Sequence, residues 1–228
     1  MRLKIDIHSH VLPGIDDGSR DISESMYMLR AFEMQGYTKV ITTPHVHSER
    51  YMNDTENIRN AYEQVMEAKE KENINIELDY AAEYFADRHL LKLIETGDVL
   101  TFGANYVLCE FSFHMPPVGA ERVADALRAN GYQPVLAHPE RYEYWHGNKN
   151  MFERLRNMGY LFQSNMHAAE GFYGQIPKRN IELIAAEGWI EFLGTDAHSP
   201  NAIDLISTSI ENKTIQSVIQ SGTYNQSL

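Results

Sequence analysis

The sequence predicts an α/β fold of parallel βα units, wound into a distorted (β/α)7 barrel of the TIM type with its chemistry at the C-terminal ends of the strands. Three observations predict it. Seven short apolar runs rich in β-branched and aromatic residues alternate with helix-like segments. Glycines stand where those helices should stop. No Pro/Gly/Ser linker, low-complexity tract or repeat interrupts the 228 residues, so the chain reads as one domain over 1–228. A count of seven strands rather than eight makes the expected barrel a distorted one.

The elements follow in order. The first strand is LKIDIH (3–8), and a period of two puts Asp6, His8 and His10 on one side and Ile5 and Ile7 on the other. A helix from Ile22 to Gln35 stops at Gly36, and KVITT (39–43) is the second strand, running into TTPHVH with His45 and His47. A helix over 55–71 leads to INIELDYAAE (74–83), which ends at Glu83. A helix over 87–96 stops at Gly97, and NYVLCEF (105–111) carries Glu110. Next come a helix over 119–130, Gly131 and QPVLAH (133–138), whose AHPER continuation holds His138, Glu140 and Arg141. A helix over 149–158 and Gly159 precede YLFQSN (160–165), which runs into SNMH with Asn165 and His167. The last pair is a helix over 177–187, stopped by Gly188, and WIEFLGT (189–195). GTDAH then sets Asp196 and His198 at the spacing of His8 and His10.

In a (β/α) barrel all these strand ends meet on one face, where active sites are built. A glutamate after VLC or LDYAA is costly in a core unless it is paired or ligates a metal. Five histidines and at least three acids are too many ligands for one ion and would serve two or three. The set is imidazole and carboxylate with no thiolate, which suits manganese, iron or zinc. Adjacent divalent ions activate water at neutral pH and clamp an oxyanion, as phosphate-ester hydrolysis requires. Arg141 suits a phosphoryl group by forked hydrogen bonds; its other reading is a rim salt bridge to Glu140 or Glu143. His89 reads as an exposed helical residue, and His114 and His146 as loop residues. His47 and His167 stand open between ligand and bystander, as do Tyr142, Tyr144 and Trp145 between a substrate rim and packing.

Composition excludes other classes. The net charge of −12 disfavours a nucleic-acid partner. The lone Cys109 rules out an intrachain disulfide. The residue six past Cys109 is Met115, where a thiolate phosphatase needs arginine. There is no G-x-S-x-G and no phosphate loop. No apolar run reaches membrane-spanning length and no signal peptide precedes KIDIHSH, so a soluble cytoplasmic protein is expected. Oligomeric state is not legible.

The ordered motifs DIHSH, IDDG, TTPH, AAE, LCEFS, AHPERY and GTDAH resemble the polymerase and histidinol phosphatase (PHP) family across nearly the whole chain. HVLPGIDDGS and LAHPERY look like its bacterial branch of metal-dependent tyrosine-protein phosphatases of capsule and exopolysaccharide synthesis. The resemblance implies a distorted (β/α)7 barrel with three metals, usually manganese. Carried over by motif, His8, His10, Asp196 and a bridging Glu83 would hold the first metal. Glu83, Glu110 and His138 would hold the second, and Asp17, His45 and His198 the third. Asp17 enters only through the DDG match, ahead of Asp16. Arg141 matches the family's phosphate-binding arginine, and Asp17 and His198 join it as residues expected to act in catalysis. The branch often has TPHH or basic residues after the second motif, whereas Val46 follows His45 here, then His47 and Arg50. The implied substrate is phosphotyrosine on an autophosphorylating bacterial tyrosine kinase. The alternatives are a small-molecule phosphatase of the histidinol-phosphate kind and a regulatory binding protein of the same pathway with a vestigial site.

Overall fold

The computed structural model describes residues 3–228. Strands β1 (Ile5–Asp6), β2 (Lys39–Thr42) and β4 (Glu77–Tyr80) form one sheet in the order β1-β2-β4. A second sheet runs β3 (His45–Val46), β5 (Glu83–Phe85), β6 (Tyr106–Glu110), β7 (Gln133–Ala137), β8 (Leu161–Asn165) and β9 (Phe192–Gly194). All pairings within both sheets are parallel. The second expected strand is β2 alone, with β3 lying beyond its expected end, and the third covers β4 and only the first residue of β5. Pro44, which has no N–H to give a ladder, separates β2 from β3. Ala81 and Ala82 separate β4 from β5.

Backbone hydrogen bonds cross both breaks. Ala81 N donates to Thr42 O at 2.9 Å and Glu83 N to Pro44 O at 3.0 Å. On the far flank Asp196 N donates to His8 O at 2.7 Å and His10 N to Ala197 O at 2.9 Å. The chain just past β9 thus runs parallel beside the chain just past β1, bridged at Ser9 and Ala197.

The six expected helices are α1 (Ile22–Met34), α2 (Thr55–Lys71), α3 (Arg88–Thr96), α4 (Ala120–Ala129), α5 (Lys149–Asn157) and α6 (Gln175–Ala186). The first three start on aspartates, Asp21, Asp54 and Asp87, whose carboxylates accept from the first-turn N–H groups. Asp54 and Asn57 complete a reciprocal capping box on α2. Gly97 ends α3 in the left-handed conformation, φ 73°. Short helices α7 (Pro200–Asp204), α8 (Ile206–Ser209) and α9 (Lys213–Ser221) follow β9.

Strand alternation produces two apolar layers. Ile7, Ile41, Leu108, Val135 and Phe192 gather one strand face from both sheets into a small inner cluster. Their strand neighbours Val40, Cys109, Leu136 and Leu193 join the larger cluster formed with the helices, among them Leu29, Val65, Leu127 and Ile184. Each such fully buried side chain contributes about 1.5–3 kcal/mol. Both layers leave the C-terminal ends of the strands to polar residues.

Candidate metal centre

Glu83 opens β5 and is fully buried. Its Oε2 lies 3.1 Å from His8 Nε2, 3.2 Å from His45 Nδ1 and 3.5 Å from His10 Nε2. Its Oε1 lies 2.9 Å from His138 Nε2. Asp196 Oδ1 is 3.3 Å from His8 Nε2 and 3.4 Å from both His10 Nε2 and His198 Nδ1. Asp17 Oδ1 is 3.4 Å from His198 Nε2 and 3.5 Å from His45 Nε2. Glu110 Oε1 is 3.4 Å from His45 Nδ1. The strand ends thus bring the nine residues carried over by motif into one connected cluster. His138 and Asp196 sit at positive φ, 37° and 53°, a conformation that costs about 1–3 kcal/mol and collects at functional sites.

Donor atoms within 4.8 Å of one another form three groups. One is His8, His10, Glu83 and Asp196; the second is His45, Glu83 and Glu110; the third is His10, Asp17, His45 and His198. The first matches the set carried over by motif. The others differ in that His45 stands with Glu83 and Glu110, while His138 reaches the opposite oxygen of Glu83, and His10 also faces the third group. Buried nitrogens His10 Nε2 and His138 Nδ1 have no hydrogen-bond partner. His10 Nε2 lies within 3.5 Å of the Glu83 and Asp196 carboxylates, and an orphaned imidazole nitrogen so placed fits a divalent cation that takes nitrogen and oxygen ligands.

A second layer fixes the imidazoles. Asp16, passed over in favour of Asp17, accepts from His10 Nδ1 at 2.8 Å and from His45 N at 3.0 Å. Gln163 Oε1 lies 2.7 Å from His8 Nδ1, and Gln163 Nε2 donates to Asn165 Oδ1 at 2.9 Å. Asn165 Nδ2 donates to Asp196 Oδ2 at 2.7 Å. Such partners hold each ring's tautomer and aim. The period of two in YLFQSN could have flagged Gln163 beside Asn165. Gly18 and Gly194 let these parts meet: a Cβ on Gly18 would collide with His10, and one on Gly194 would lie 2.7 Å from His8 Cβ. Asp6 does not face the cluster with His8 and His10; it accepts from Thr195 N at 2.8 Å, and burial raises its pKa to about 7.

Burial alone would lower the pKa of His8, but the facing Glu83 and Asp196 carboxylates more than reverse this and raise it to about 9. The same opposition, with Asp16 as the largest anionic contributor, raises His10. Burial opposes ionisation of Glu83 and Asp196, yet the imidazoles around them hold both well below the usual carboxylate range.

Arg141 pairs with Asp196 rather than Glu140 or Glu143: its Nη1 donates to Asp196 Oδ2 at 2.6 Å. Its guanidinium lies between the rings of Phe113 and Tyr173, at 4.5 and 4.4 Å. Neither aromatic was singled out in sequence. Tyr142 and Trp145 are buried; Tyr142 Oη accepts from Phe111 N at 2.8 Å, and Tyr144 Oη donates to Ser112 O at 2.8 Å. These three rings pack and brace the segment after β6. His167 is buried against Ser209 Oγ at 2.7 Å and is outside the donor groups. His47 is half-buried against Phe85, His89 is half-buried in α3, and His114 and His146 are exposed loop residues. Glu140 is buried, accepting from Asn165 N at 2.8 Å.

A family model for capsular polysaccharide synthesis, CpsB/CapC, matches residues 4–207. The chain is 33% identical over 205 residues to the tyrosine-protein phosphatase YwqE of Bacillus subtilis (strain 168), covering 86% of this chain and 77% of the relative. It superimposes with a TM-score of 0.81 and 29% identity on a structure from work on YwqE of Bacillus subtilis and CpsB of Streptococcus pneumoniae, described as unique metal-dependent tyrosine phosphatases; 95% of this chain and 85% of the other are covered. An amidohydrolase from Mycoplasma synoviae shares the fold at a TM-score of 0.55 and 12% identity, over 96% of this chain and 82% of that one.

Proposed function

The chain belongs to the CpsB/CapC capsular polysaccharide synthesis family, and from that premise we propose that it is a metal-dependent tyrosine-protein phosphatase, hydrolysing the phosphoric monoester of phosphotyrosine. The observation that carries the reading is Glu83, a buried carboxylate within 3.5 Å of four imidazoles and shared by two donor groups.

Three divalent ions, manganese first among them, would be held by His8, His10, Glu83 and Asp196, by Glu83, Glu110, His45 and His138, and by Asp17, His45 and His198. When bound, such ions supply the Lewis acidity that activates water and takes up charge on phosphoryl oxygens. The chain's own residues do the rest. Asp16 and Gln163 keep the imidazoles aimed. Arg141, held by the rings of Phe113 and Tyr173, offers a planar fork to a phosphoryl oxygen, where a preorganised donor acts on developing charge. Asp17 and His198 are the more accessible members of the cluster and face the entering ester. Tyrosine leaves readily, since its phenol pKa is near 10.

The parallel ladders, joined by Glu83 N to Pro44 O at one break and Asp196 N to His8 O at the other, support a distorted (β/α)7 barrel as one domain over 1–228. The substrate we assign is the phosphorylated tail of an autophosphorylating bacterial tyrosine kinase of capsule or exopolysaccharide synthesis, met in the cytoplasm.

The test is hydrolysis of a phosphotyrosine peptide beside histidinol phosphate. Activity on the peptide should vanish after chelation and return with manganese, with histidinol phosphate turned over poorly. Cys109→Ser should keep its rate, because the thiol is fully buried and burial pushes its pKa up. Full activity after verified metal removal would overturn the metal; a preference for histidinol phosphate would overturn the substrate.

A further inference from the structure

A cleft of about 420 Å³ opens beside the ligand cluster. Its inner end is formed by Asp17, His45 and Glu110. Its walls are aromatic. Tyr51 lies parallel to the His45 ring, 5.4 Å away at 13°, and Phe85 packs on His47 at 4.3 Å. Phe113 also lines the cleft and stacks on Arg141 at 4.5 Å. At the mouth stands Arg50, exposed, with no hydrogen bond or ion pair to another described residue. In a chain of net charge −12, an unpaired guanidinium over the site is conspicuous. A smaller cleft of about 290 Å³, sharing Phe113 and His114 with the first, is lined by Arg141 and Glu143.

We propose that this cleft selects phosphotyrosine flanked by an acidic group, its aromatic walls taking the phenyl ring while Arg50 pairs with an anionic side chain on a neighbouring residue of the substrate. The proposal rests on the phosphatase reading above and narrows its substrate class. An exposed guanidinium is well solvated when alone and gains charge-assisted, forked hydrogen bonds when a bound polypeptide excludes water around it. Aromatic walls suit a ring bearing a charged tip, because they bury its apolar body and leave the phosphate to the cluster. Glu49, next to Arg50 and also lining the cleft, acts in the opposite sense on a negative substrate. Substitutions at these two adjacent residues are therefore expected to act in opposite directions on an acidic substrate, which a merely structural role for this turn would not produce.

The experiment is steady-state kinetics of the manganese-loaded enzyme. The substrates are p-nitrophenyl phosphate, a phosphotyrosine peptide flanked by glutamates and one flanked by alanines. The acidic peptide should have the lower KM, by about five- to tenfold at low salt, and the preference should shrink as salt screens it. Arg50→Ala should abolish the preference through KM, leaving kcat and p-nitrophenyl phosphate turnover unchanged. Arg50→Lys should keep part of it, and Glu49→Gln should widen it. The proposal is overturned if the wild type shows no preference, or if Arg50→Ala depresses all three substrates alike. No preference in the wild type, with both peptides still hydrolysed, sinks this inference alone. Turnover of p-nitrophenyl phosphate with neither peptide sinks both this inference and the phosphotyrosine reading.

Discussion

Glu83 turns one oxygen to His8, His10 and His45 and the other to His138, whereas Asp17 at the exposed edge belongs to a single donor group. Glu83→Gln, which keeps the shape and removes the charge, should therefore lose more than one equivalent of manganese and nearly all activity. Asp17→Asn should lose no more than one. Metal stoichiometry and rate for both variants, with folding checked by circular dichroism, decide it; a full complement in Glu83→Gln would remove Glu83 from the centre. At this scale the sequence was informative where chemistry and position coincide. His8, Glu110, His138 and Asp196 are polar residues at the ends of apolar runs, and such residues cannot be core. Strand logic did not separate Asp16 from Asp17, and only the motif match put Asp17 first, because which one turns inward depends on the loop pinned by Gly18 against His10. Phe113 and Tyr173 were not legible either. An aromatic beside a strand end reads as packing until the arginine between the two rings is seen.

Helices α1 to α6 fall within two residues of their expected limits, because aspartate caps on the first three and glycines after all but α2 are local signals. The break between β2 and β3 has a local cause in Pro44, which lacks the N–H a ladder needs. The break between β4 and β5, at Ala81 and Ala82, has no such signal, and neither periodicity nor composition encodes it. In the region after β9, α7 and α8 are too short to show a clear period, and α9, as long as α3 and α5, went unread. Its main device is one side chain. Asn225 Oδ1 accepts from Leu193 N at 2.9 Å, and Asn225 Nδ2 donates to Leu193 O at 2.7 Å and Ile5 O at 3.0 Å. A buried carboxamide thus links β9 and the start of β1 below the site, where it stands in for a strand's backbone. Asn225→Ala leaves a buried N–H and two carbonyls without these partners. It should cost about 3 kcal/mol, since each buried unsatisfied group typically costs about 1–3 kcal/mol. Urea denaturation of the metal-stripped protein measures this directly. A loss below 0.5 kcal/mol, on the order of an ordinary surface substitution, would show that the C-terminal segment merely lies against the strands.

Across the whole molecule, the excess of acids and the histidine-rich cluster pose one electrostatic problem. Glu83 and Asp196 are buried and ionised, so something cationic must face them. In the metal-free fold the imidazoliums serve. His8, with a pKa of about 9, carries a proton at pH 7, and the facing carboxylates raise His10 in the same direction. A ligating imidazole must be neutral, so an ion entering the site has to displace the protons held there. The sign follows. Metal uptake at pH 7 releases protons, and apparent affinity strengthens as pH rises from 7 towards 9, by up to about tenfold per pH unit for each proton released. Above the His8 pKa the gain from that residue is exhausted. Because the ion binds the folded chain and not the unfolded one, the thermal midpoint gained on adding manganese should grow over the same window. Calorimetric titration of manganese into stripped protein, in buffers of different ionisation enthalpy at pH 7 and pH 8.5, counts the protons. At least one per protein should leave at pH 7, and fewer at pH 8.5. No proton release at pH 7 would mean that His8 and His10 are already neutral. The carboxylates would then be balanced by something other than the imidazoles around them.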